Sequence, residues 1–423
     1  MRAEAPAVRN EFSPRRVAIT GIGCVTPIGT GAEGLWEGLK RRESAVRRID
    51  RFDPSPFRSH IAAQVDEFDP ADYMERSRLR RLERYAQFAV AASRLALDDA
   101  ALDPAAVDPE RAGVMMGSAL GGVAYGEGQF ERYVRGGVRA VDPTLALVVF
   151  TGAGSCNVAI EFGFTGPNST TGMSCASGAM AVGEGWRAIR SGEAEVMLVG
   201  GAEAPLAPLC YGAFAIIRAM STRNDDPARA SRPFDADRDG FVMAEGASVL
   251  VLEEMESARA RGARIYAELL GFGTSNDAHH MTAPRPDGAQ AARAVRTALR
   301  TGGVRPEEVD YVNAHGSATP LNDSTESRVI RDVLGEHADE VAVSGTKGYH
   351  GHSLGATGAI EAAITALSIH RGWIPPTLNL ENPGEGCDLR YVRGEGEARD
   401  VRRALSNSFG FGGINAALVF GSV

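Results

Sequence analysis

Cysteine is scarce in this 423-residue chain: there are five, widely spaced and without a Cys-x-x-Cys pair. An odd number at such spacing gives neither a disulfide framework nor a zinc site. No apolar run is long enough to span a bilayer, and residues 1–15 lack the continuous apolar core of a secretory signal. These absences predict a cytoplasmic protein with a disordered N-terminal tail over residues 1–15 and no membrane partner.

Positive charge is also in deficit, because 45 basic residues face 54 acidic ones and leave a formal net charge of -9. Such a chain lacks the global positive field of a nucleic-acid binder. The sequence therefore predicts no nucleic-acid partner. Any anionic partner must meet a local basic patch.

Short β-rich runs alternate with Ala-rich stretches of helical period along the whole chain. Strands are predicted at 16–22, 112–117, 195–200, 247–252, 264–271, 309–313 and 341–344, and helices at 83–101, 176–190, 290–300, 323–334 and 354–370. The pattern restarts near residue 260, which predicts two α/β halves of similar layout. The helix after residue 175 is so rich in Ala and Gly that we expect it to pack inside the protein.

A cysteine stands at the predicted start of that small-residue helix. Cys175 follows a strand-like run, and unpaired amides and the helix dipole at such a terminus favour a thiolate. Gly172 and Gly178 leave room for a substrate beside the sulfur. Most intracellular cysteines are inert buried thiols, so this setting alone does not establish a nucleophile.

Two later motifs each supply a histidine. His315 lies in NAHGSATP (313–320) at the end of a predicted strand, where α/β proteins place their working loops. His352 lies in SGTKGYHGHSLG (344–355), beside a predicted helix start, which favours a neutral ring that donates from Nε2. Taken singly, each is more often a structural residue. His350 completes no metal-ligand set, so we interpret it as a supporting residue and predict no metal.

A glycine-rich segment, NSFGFGGIN (407–415), follows near the C-terminus. Three glycines within four positions permit close backbone approach or loop movement. A tight turn between the final strands is the alternative interpretation.

Together these motifs resemble the β-ketoacyl-acyl-carrier-protein synthases, most closely the ketosynthase II type and the ketosynthase subunits of type II polyketide systems. The similarity runs from Arg16 to the C-terminus and includes MSTRND (220–225) and SRPFDADRDGF (231–241). A Cys-His-His set in three correctly ordered motifs is specific, whereas a lone glycine-rich loop is not.

The resemblance implies a decarboxylative Claisen condensation of malonyl-acyl-carrier protein with an acyl chain on Cys175. It assigns the malonyl thioester carbonyl to His315 and His352, and the oxyanion to the backbone amides of Cys175 and Phe411. It also implies that Phe411 is a gate for the acyl chain.

Further roles follow from the same resemblance. Lys347 is expected to pair with Glu326 and to tune the two histidines electrostatically. The residues implied in substrate binding are Ser317, Thr319 and Thr282, for the phosphopantetheine arm, together with Leu120, Ser174 and Phe409. The expected carrier-docking run is Arg76, Arg78, Arg80 and Arg81, for which a solvated helix face is the plain alternative.

The implied fold is α/β and thiolase-like, with two fused halves in a five-layered αβαβα arrangement. Residues 16–260 would carry the nucleophile, and residues 261–423 both histidines and the gating loop. The resemblance implies a homodimer, or a heterodimer with a chain-length-factor-like subunit, and no bound cofactor, because acyl carrier protein brings the substrates on phosphopantetheine.

Two features leave the pathway open between fatty acids and polyketides: 145–154 lacks an Asn usual in fatty-acid synthases, and Ser174 stands where they usually have Ala. The main alternative is a non-elongating partner subunit, chain-length-factor-like or a decarboxylase, and retention of Cys175 argues against the first. A thiolase would need a second, late cysteine, and ketosynthase III types use Cys-His-Asn.

Overall fold

The computed structural model of the protein describes residues 14–423. Residues 1–13 of the predicted tail lie outside the described residues. The strands of the central sheets are β1 (Val17–Thr26), β2 (Ala112–Gly117), β3 (Asn168–Thr171), β4 (Val196–Glu203), β5 (Gly246–Glu254), β6 (Ala267–Asn276), β7 (Tyr311–Ala314), β8 (Ala342–Gly345), β9 (Arg403–Gly410) and β10 (Ile414–Gly421). Shorter strands lie at Gly29–Thr30, Val46–Arg48, Ile61–Ala63, Trp373–Ile374 and Glu397–Ala398.

Helices connect most of these strands. They are α1 (Gly31–Arg41), α2 (Arg76–Leu79), α3 (Arg84–Asp99), α4 (Val123–Gly136), α5 (Leu145–Val148), α6 (Ala153–Phe162), α7 (Ser177–Arg190), α8 (Pro208–Ile216), α9 (Met255–Ala260), α10 (Ala289–Gly302), α11 (Pro320–Leu334), α12 (Lys347–His350) and α13 (Thr357–Arg371). The strand predicted over Ala112–Gly117 has those bounds, and the other predicted strands and helices overlap observed ones.

The two halves of the sheet have the same strand order. It is β3-β2-β4-β5-β1 in the first half and β8-β7-β9-β10-β6 in the second, so each half reads third, second, fourth, fifth, first. The halves meet where β1 and β6 pair antiparallel at Ala18–Glu268 and Ile19–Ala267. One topology thus occurs twice, although the sequence shows no clear residue-level repeat.

Side chains on the two faces of these strands pack into three large apolar cores. One core contains α7, α13 and inward-facing residues of both sheets, such as Leu250 and Leu418. The other two lie under α3 and α6 against the first sheet and under α10 and α11 against the second. The layers therefore follow the order helix, sheet, helix, sheet, helix, which confirms the predicted five-layered thiolase-like fold.

The two central helices touch through glycine. A Cβ added to Gly178 on α7 would lie 2.8 Å from the backbone nitrogen of Ala359, and one added to Gly358 on α13 would lie 2.7 Å from that of Ala179. Residues Thr357 to Ile369 are all buried. Small residues therefore let the helix backbones approach at the centre, which brings their two N-termini together.

Candidate active site

Cys175 lies between β3 and α7, in the short turn Ser174–Ala176. Ser174 has φ +50°, a left-handed conformation that costs a non-glycine residue about 1–3 kcal/mol. The Cys175 side chain is 7% exposed, and the Ser174 hydroxyl lies 3.8 Å from its Sγ. This turn holds the thiol at the start of α7 and inside the protein.

Burial raises the pKa of the Cys175 thiol, although the Ser174 hydroxyl and the Phe411 amide act in the opposite direction. The helix terminus alone predicts a lowered pKa. Burial wins because a low-dielectric site destabilises the thiolate more than the thiol. The resting group is therefore a thiol, and any reaction that uses its sulfur as a nucleophile must also remove the proton.

The two predicted histidines face each other in the same site. His315 follows β7 and His352 follows α12, and their ring centroids lie 5.4 Å apart at an interplanar angle of 80°. His315 Nδ1 lies 3.4 Å from Lys347 Nζ, and His352 Nδ1 lies 2.9 Å from Thr357 Oγ1. Because an ammonium only donates, Nδ1 of His315 accepts, and the proton of the neutral ring is on Nε2.

Burial, followed by the charge of Lys347, lowers the pKa of His315 and of His352 well below the ordinary 6.5. An uncompensated imidazolium beside a buried ammonium is unfavourable. Both rings are therefore neutral at pH 7, and each can donate a hydrogen bond without carrying charge. The helix start beside His352 predicts a neutral ring for that residue alone.

The predicted ion pair between Lys347 and Glu326 is wrong. Lys347 Nζ lies 2.5 Å from Glu361 Oε1 on α13. Glu326 accepts instead from the backbone N–H groups of His315 and Gly316, each at 2.8 Å. Because peptide donors satisfy this buried carboxylate, it needs no ammonium partner. Glu326 thus fixes the loop that carries His315.

Burial also raises the carboxyl pKa values, to about 8 for Glu361, where Lys347 opposes the rise, and to about 7 for Glu326, where the two peptide donors oppose it. Sequence reasoning missed Glu361. Its signal was a single carboxylate within the Ala-rich helix that follows His352, since a buried acid in an apolar helix requires a partner.

The glycine-rich segment 407–415, near the C-terminus, forms one side of the site. Phe411 stacks on Phe214 with centroids 6.4 Å apart, and Phe214 meets Phe241 edge to face at 6.1 Å. Phe241 packs in turn edge to face against His352 at 5.3 Å. A Cβ on Gly410 would lie 3.1 Å from the Cys175 backbone nitrogen, so glycine allows this loop to reach the nucleophile.

A cleft of about 590 Å³ joins these groups. The predicted site residues that line it are Cys175, His315, His352, Phe411, Phe409, Ser317, Thr319 and Thr282. Lys347 and Glu326 lie behind the histidines, and Leu120 packs in the apolar cluster that contains Cys175. Ser317 Oγ lies 2.9 Å from Thr319 Oγ1, so a pair of hydroxyls faces the cleft.

The predicted docking arginines fall on and after the single-turn helix α2. Arg76, Arg80 and Arg81 are exposed. Arg78 forms an ion pair with Glu161 and its side chain is 26% exposed. Three of the four are thus presented to solvent, while Arg78 helps to attach α2 to α6.

Neither a metal cluster nor a membrane-crossing helix is found in the described part of the chain. Among residues 14–423, no three His, Cys, Asp or Glu side chains form a group suited to hold a metal ion. Over the same residues, every helix is too short or too polar to traverse a bilayer.

Comparison with known sequences matches almost the whole chain. The family profile described as Beta-ketoacyl synthase, N-terminal domain, covers residues 14–258, and its C-terminal companion covers residues 266–381. A relative from Synechocystis sp., named 3-oxoacyl-[acyl-carrier-protein] synthase 2, is 45% identical over 96% of this chain and 98% of its own length.

Solved structures give a similar result. The ishigamide ketosynthase/chain length factor matches with a TM-score of 0.91 and 38% identity over 97% of this chain and 100% of the other. A type II polyketide acyl-carrier protein in complex with its ketosynthase, bound to the hexaketide, matches with a TM-score of 0.90 and 35% identity over 97% and 100%.

Proposed function

Because the chain belongs to the β-ketoacyl synthase family, we propose that it is a β-ketoacyl-acyl-carrier-protein synthase of fatty-acid or polyketide type. It joins an acyl group on Cys175 to the carbanion formed from a malonyl thioester. The observation that carries this proposal is the convergence of one thiol and two neutral imidazoles on one cleft.

Acyl transfer comes first. The sulfur of Cys175 attacks the acyl thioester carbonyl, an Sγ–C bond forms, and the bond to the phosphopantetheine sulfur breaks. The cysteine proton leaves with the released carrier thiol, so the step is balanced. The helix terminus of α7 favours charge on the sulfur as the proton departs.

Decarboxylation follows in the same cleft. The bond between Cα and the carboxylate of the malonyl group breaks, carbon dioxide leaves, and the electron pair delocalises onto the thioester oxygen. His315 and His352 donate Nε2–H hydrogen bonds to that oxygen, and two neutral donors stabilise the enolate without forming a fixed ion pair.

Condensation completes the cycle. The enolate carbon attacks the acyl carbonyl on Cys175, and the backbone amides of Cys175 and Phe411 hold the oxyanion. The close approach of the glycine-rich loop supports this assignment, because a Cβ on Gly410 would lie 3.1 Å from the Cys175 backbone nitrogen and Phe411 is the next residue along the loop. Collapse breaks the Sγ–C bond and releases the cysteine thiolate, which takes up a proton from water to replace the one that left with the first carrier thiol.

Acyl carrier protein is the substrate carrier in this proposal. Its phosphopantetheine arm enters along Ser317, Thr319 and Thr282, and its acidic surface meets the exposed arginines around α2. Leu120, Ser174 and Phe409 lie on the acyl side, and Phe411 gates entry. No resident cofactor is required, the enzyme is cytoplasmic, and the two halves, 16–260 and 261–423, divide the nucleophile from the histidines.

Intact mass spectrometry with an acyl-carrier substrate tests the proposal. The unmodified enzyme should gain one acyl mass, located by peptide mapping on Cys175, and Cys175→Ala should gain none and form no product. Cys156→Ala is the matched control, because Cys156 is more exposed than the buried Cys175 but does not line the cleft. Elongation by Cys175→Ala at the normal rate would refute the proposal.

A further inference from the structure

One buried carboxylate near the site has no part in the chemistry above. Glu203 is the last residue of β4 and is 0% exposed. Its oxygens accept hydrogen bonds from the backbone N–H groups of Ala119 at 2.6 Å, Leu120 at 3.2 Å and Gly355 at 3.0 Å. A fourth comes from the Ser118 hydroxyl at 3.0 Å. Four donors therefore converge on a single side chain.

These donors form a neutral nest for an anion. Burial raises the pKa of Glu203 to about 7, and the peptide N–H groups and one hydroxyl oppose that rise. Among residues 14–423, no Lys or Arg forms an ion pair or hydrogen bond with this carboxyl group. Convergent backbone amides of this kind bind anions in many proteins. Here the anion is supplied by the chain itself.

The surroundings of Glu203 can be compared with the corresponding position in the second half, because both halves have the same strand order. Glu203 ends the fourth strand of the first half, as Gly410 ends the fourth strand of the second. Each central helix begins after a short turn whose first residue has a positive φ: Ser174 at +50° before α7 and Leu354 at +42° before α13. Counting from those residues, Gly355 corresponds to Cys175.

The space beside the Cys175 amide and the space beside the Gly355 amide are occupied differently. Gly410 approaches the Cys175 amide but has no side chain, which leaves that N–H open to a substrate oxyanion. A Cβ on Gly355 would lie 2.6 Å from Glu203 Oε2 and 2.3 Å from the Ala119 nitrogen. The second half's counterpart of the oxyanion position is thus occupied by the Glu203 carboxylate.

We propose that Glu203 is a positioning residue whose carboxylate acts as a resident anion, holding the 118–120 turn against the start of α13. This inference rests on the proposed function for the roles of the two segments it joins. Leu120 belongs to the acyl side, and Gly355 follows His352 by three residues on the malonyl side. One side chain therefore sets the distance between the two substrate regions.

Removing the anion should leave its donors in place and unsatisfied. Glu203→Ala creates a hole lined by three amides and a hydroxyl, of a size that formate can fill. Glu203→Gln keeps the volume but turns an NH₂ group toward N–H donors, so it cannot replace the carboxylate. Glu83→Gln is the matched control, because Glu83 accepts one peptide N–H, from Tyr85 at 2.8 Å, which an amide oxygen can also do.

The first experiment measures thermal denaturation at pH 8 without substrates, with added formate or chloride at equal ionic strength. We expect both Glu203 variants to have lower midpoints than the unmodified enzyme. The midpoint of Glu203→Ala should rise with formate along a saturating curve and not with chloride. Unmodified protein and Glu83→Gln should respond equally to the two salts.

The second experiment measures turnover of the same variants. We expect kcat of Glu203→Ala to fall about tenfold or more, with KM for the carrier substrates within about twofold, because positioning acts after docking. Formate should restore part of the lost kcat.

The inference is overturned if Glu203→Gln is as stable and active as the unmodified enzyme. It is also overturned if Glu203→Ala responds equally to formate and chloride. If Glu203→Ala does not fold, refolding in formate against chloride decides: recovery only in formate supports the inference, and recovery in neither refutes it. The thermal arm needs no condensation, so its outcome is independent of the proposed function.

Discussion

Three buried histidines surround a single buried ammonium. His315, His350 and His352 all lie near Lys347, and burial, followed by that charge, lowers the pKa of each. Glu361 pairs with the Lys347 ammonium behind the cleft, so neither ring is needed as its partner, and burial together with the Lys347 charge keeps both rings neutral donors. Neutral rings do not trap the malonyl carboxylate as an ion pair, and its loss as carbon dioxide is therefore not opposed.

His350 allows this electrostatic account to be tested without touching the cleft. Burial lowers its pKa from 6.5 to about 3, so below about pH 6.5 the unfolded chain binds a proton there and the folded chain does not. Acidification therefore destabilises the fold through His350. Between pH 6.5 and 5.0, the unmodified protein should lose about 2 kcal/mol more unfolding free energy than His350→Gln.

Urea denaturation at four pH values across that range gives the comparison. Thr346 faces the His350 ring at 3.3 Å, and glutamine can keep a hydrogen bond to it, so the variant should fold. Parallel pH slopes for the two proteins would contradict the assignment.

At this same scale, the sequence indicated the three side chains that share the cleft better than the residues that support them. Cys175, His315 and His352 stand in motifs whose chemistry is local to each segment. The partner of Lys347 depends on which of two buried acids α11 and α13 turn toward it, and a helix orientation of that kind follows from packing. Glu203 lies in none of the motifs described, and three of its four donors are backbone N–H groups, which leave no pattern in the sequence.

At the scale of elements, the geometry of the site depends on the contact between α7 and α13. Alanine normally stabilises a helix relative to glycine, but a Cβ at Gly358 would lie 2.7 Å from the Ala179 nitrogen. We expect Gly358→Ala to lower the free energy of unfolding by about 1–3 kcal/mol through overpacking. Chemical denaturation measures the loss.

Gly128 on α4 provides the control, because a Cβ there would meet no atom within 4 Å. Gly128→Ala should be neutral or stabilising by up to about 1 kcal/mol. A Gly358→Ala protein as stable as Gly128→Ala would remove the close helix approach from the account of this fold. The sequence predicted a buried small-residue helix but not its contact, since hydropathy does not identify a neighbour.

At the scale of the whole molecule, the first sheet ends in an edge strand beside exposed apolar residues. In the described structure β3 pairs with β2 alone. The helices that precede it expose Phe130 (65%), Val134 (65%), Leu147 (69%) and Ile160 (69%). Unpaired edges and such side chains normally require cover. A second chain of this family, identical or different, is the cover we expect.

Ile160→Asp should therefore shift the purified protein toward the monomer in analytical ultracentrifugation and reduce its activity. Leu321→Asp is the control, because Leu321 is 60% exposed but lies on α11, in the second half of the chain. An unchanged mass distribution for Ile160→Asp would place the subunit contact elsewhere. If the unmodified chain is itself monomeric, addition of a chain-length-factor-like subunit completes the test.

The sequence predicts that the strand and helix pattern restarts near residue 260. It does not predict that the two halves share one strand order. Local periodicity identifies strands such as β2 and β5, but which strands become neighbours is decided by the packing of connecting helices over the sheet. The repeated strand order is seen only in the assembled sheet, in which β1 and β6 join the two halves.

In the proposed function, the nucleophile belongs to one of these halves and both imidazoles to the other. A ribosome that stops before β7 therefore releases a polypeptide with the sulfur but without the groups that remove carbon dioxide. On the proposed mechanism, such an incomplete copy cannot decarboxylate malonyl thioesters. Reactivity arrives only with the last part of translation, when the finished halves fasten together.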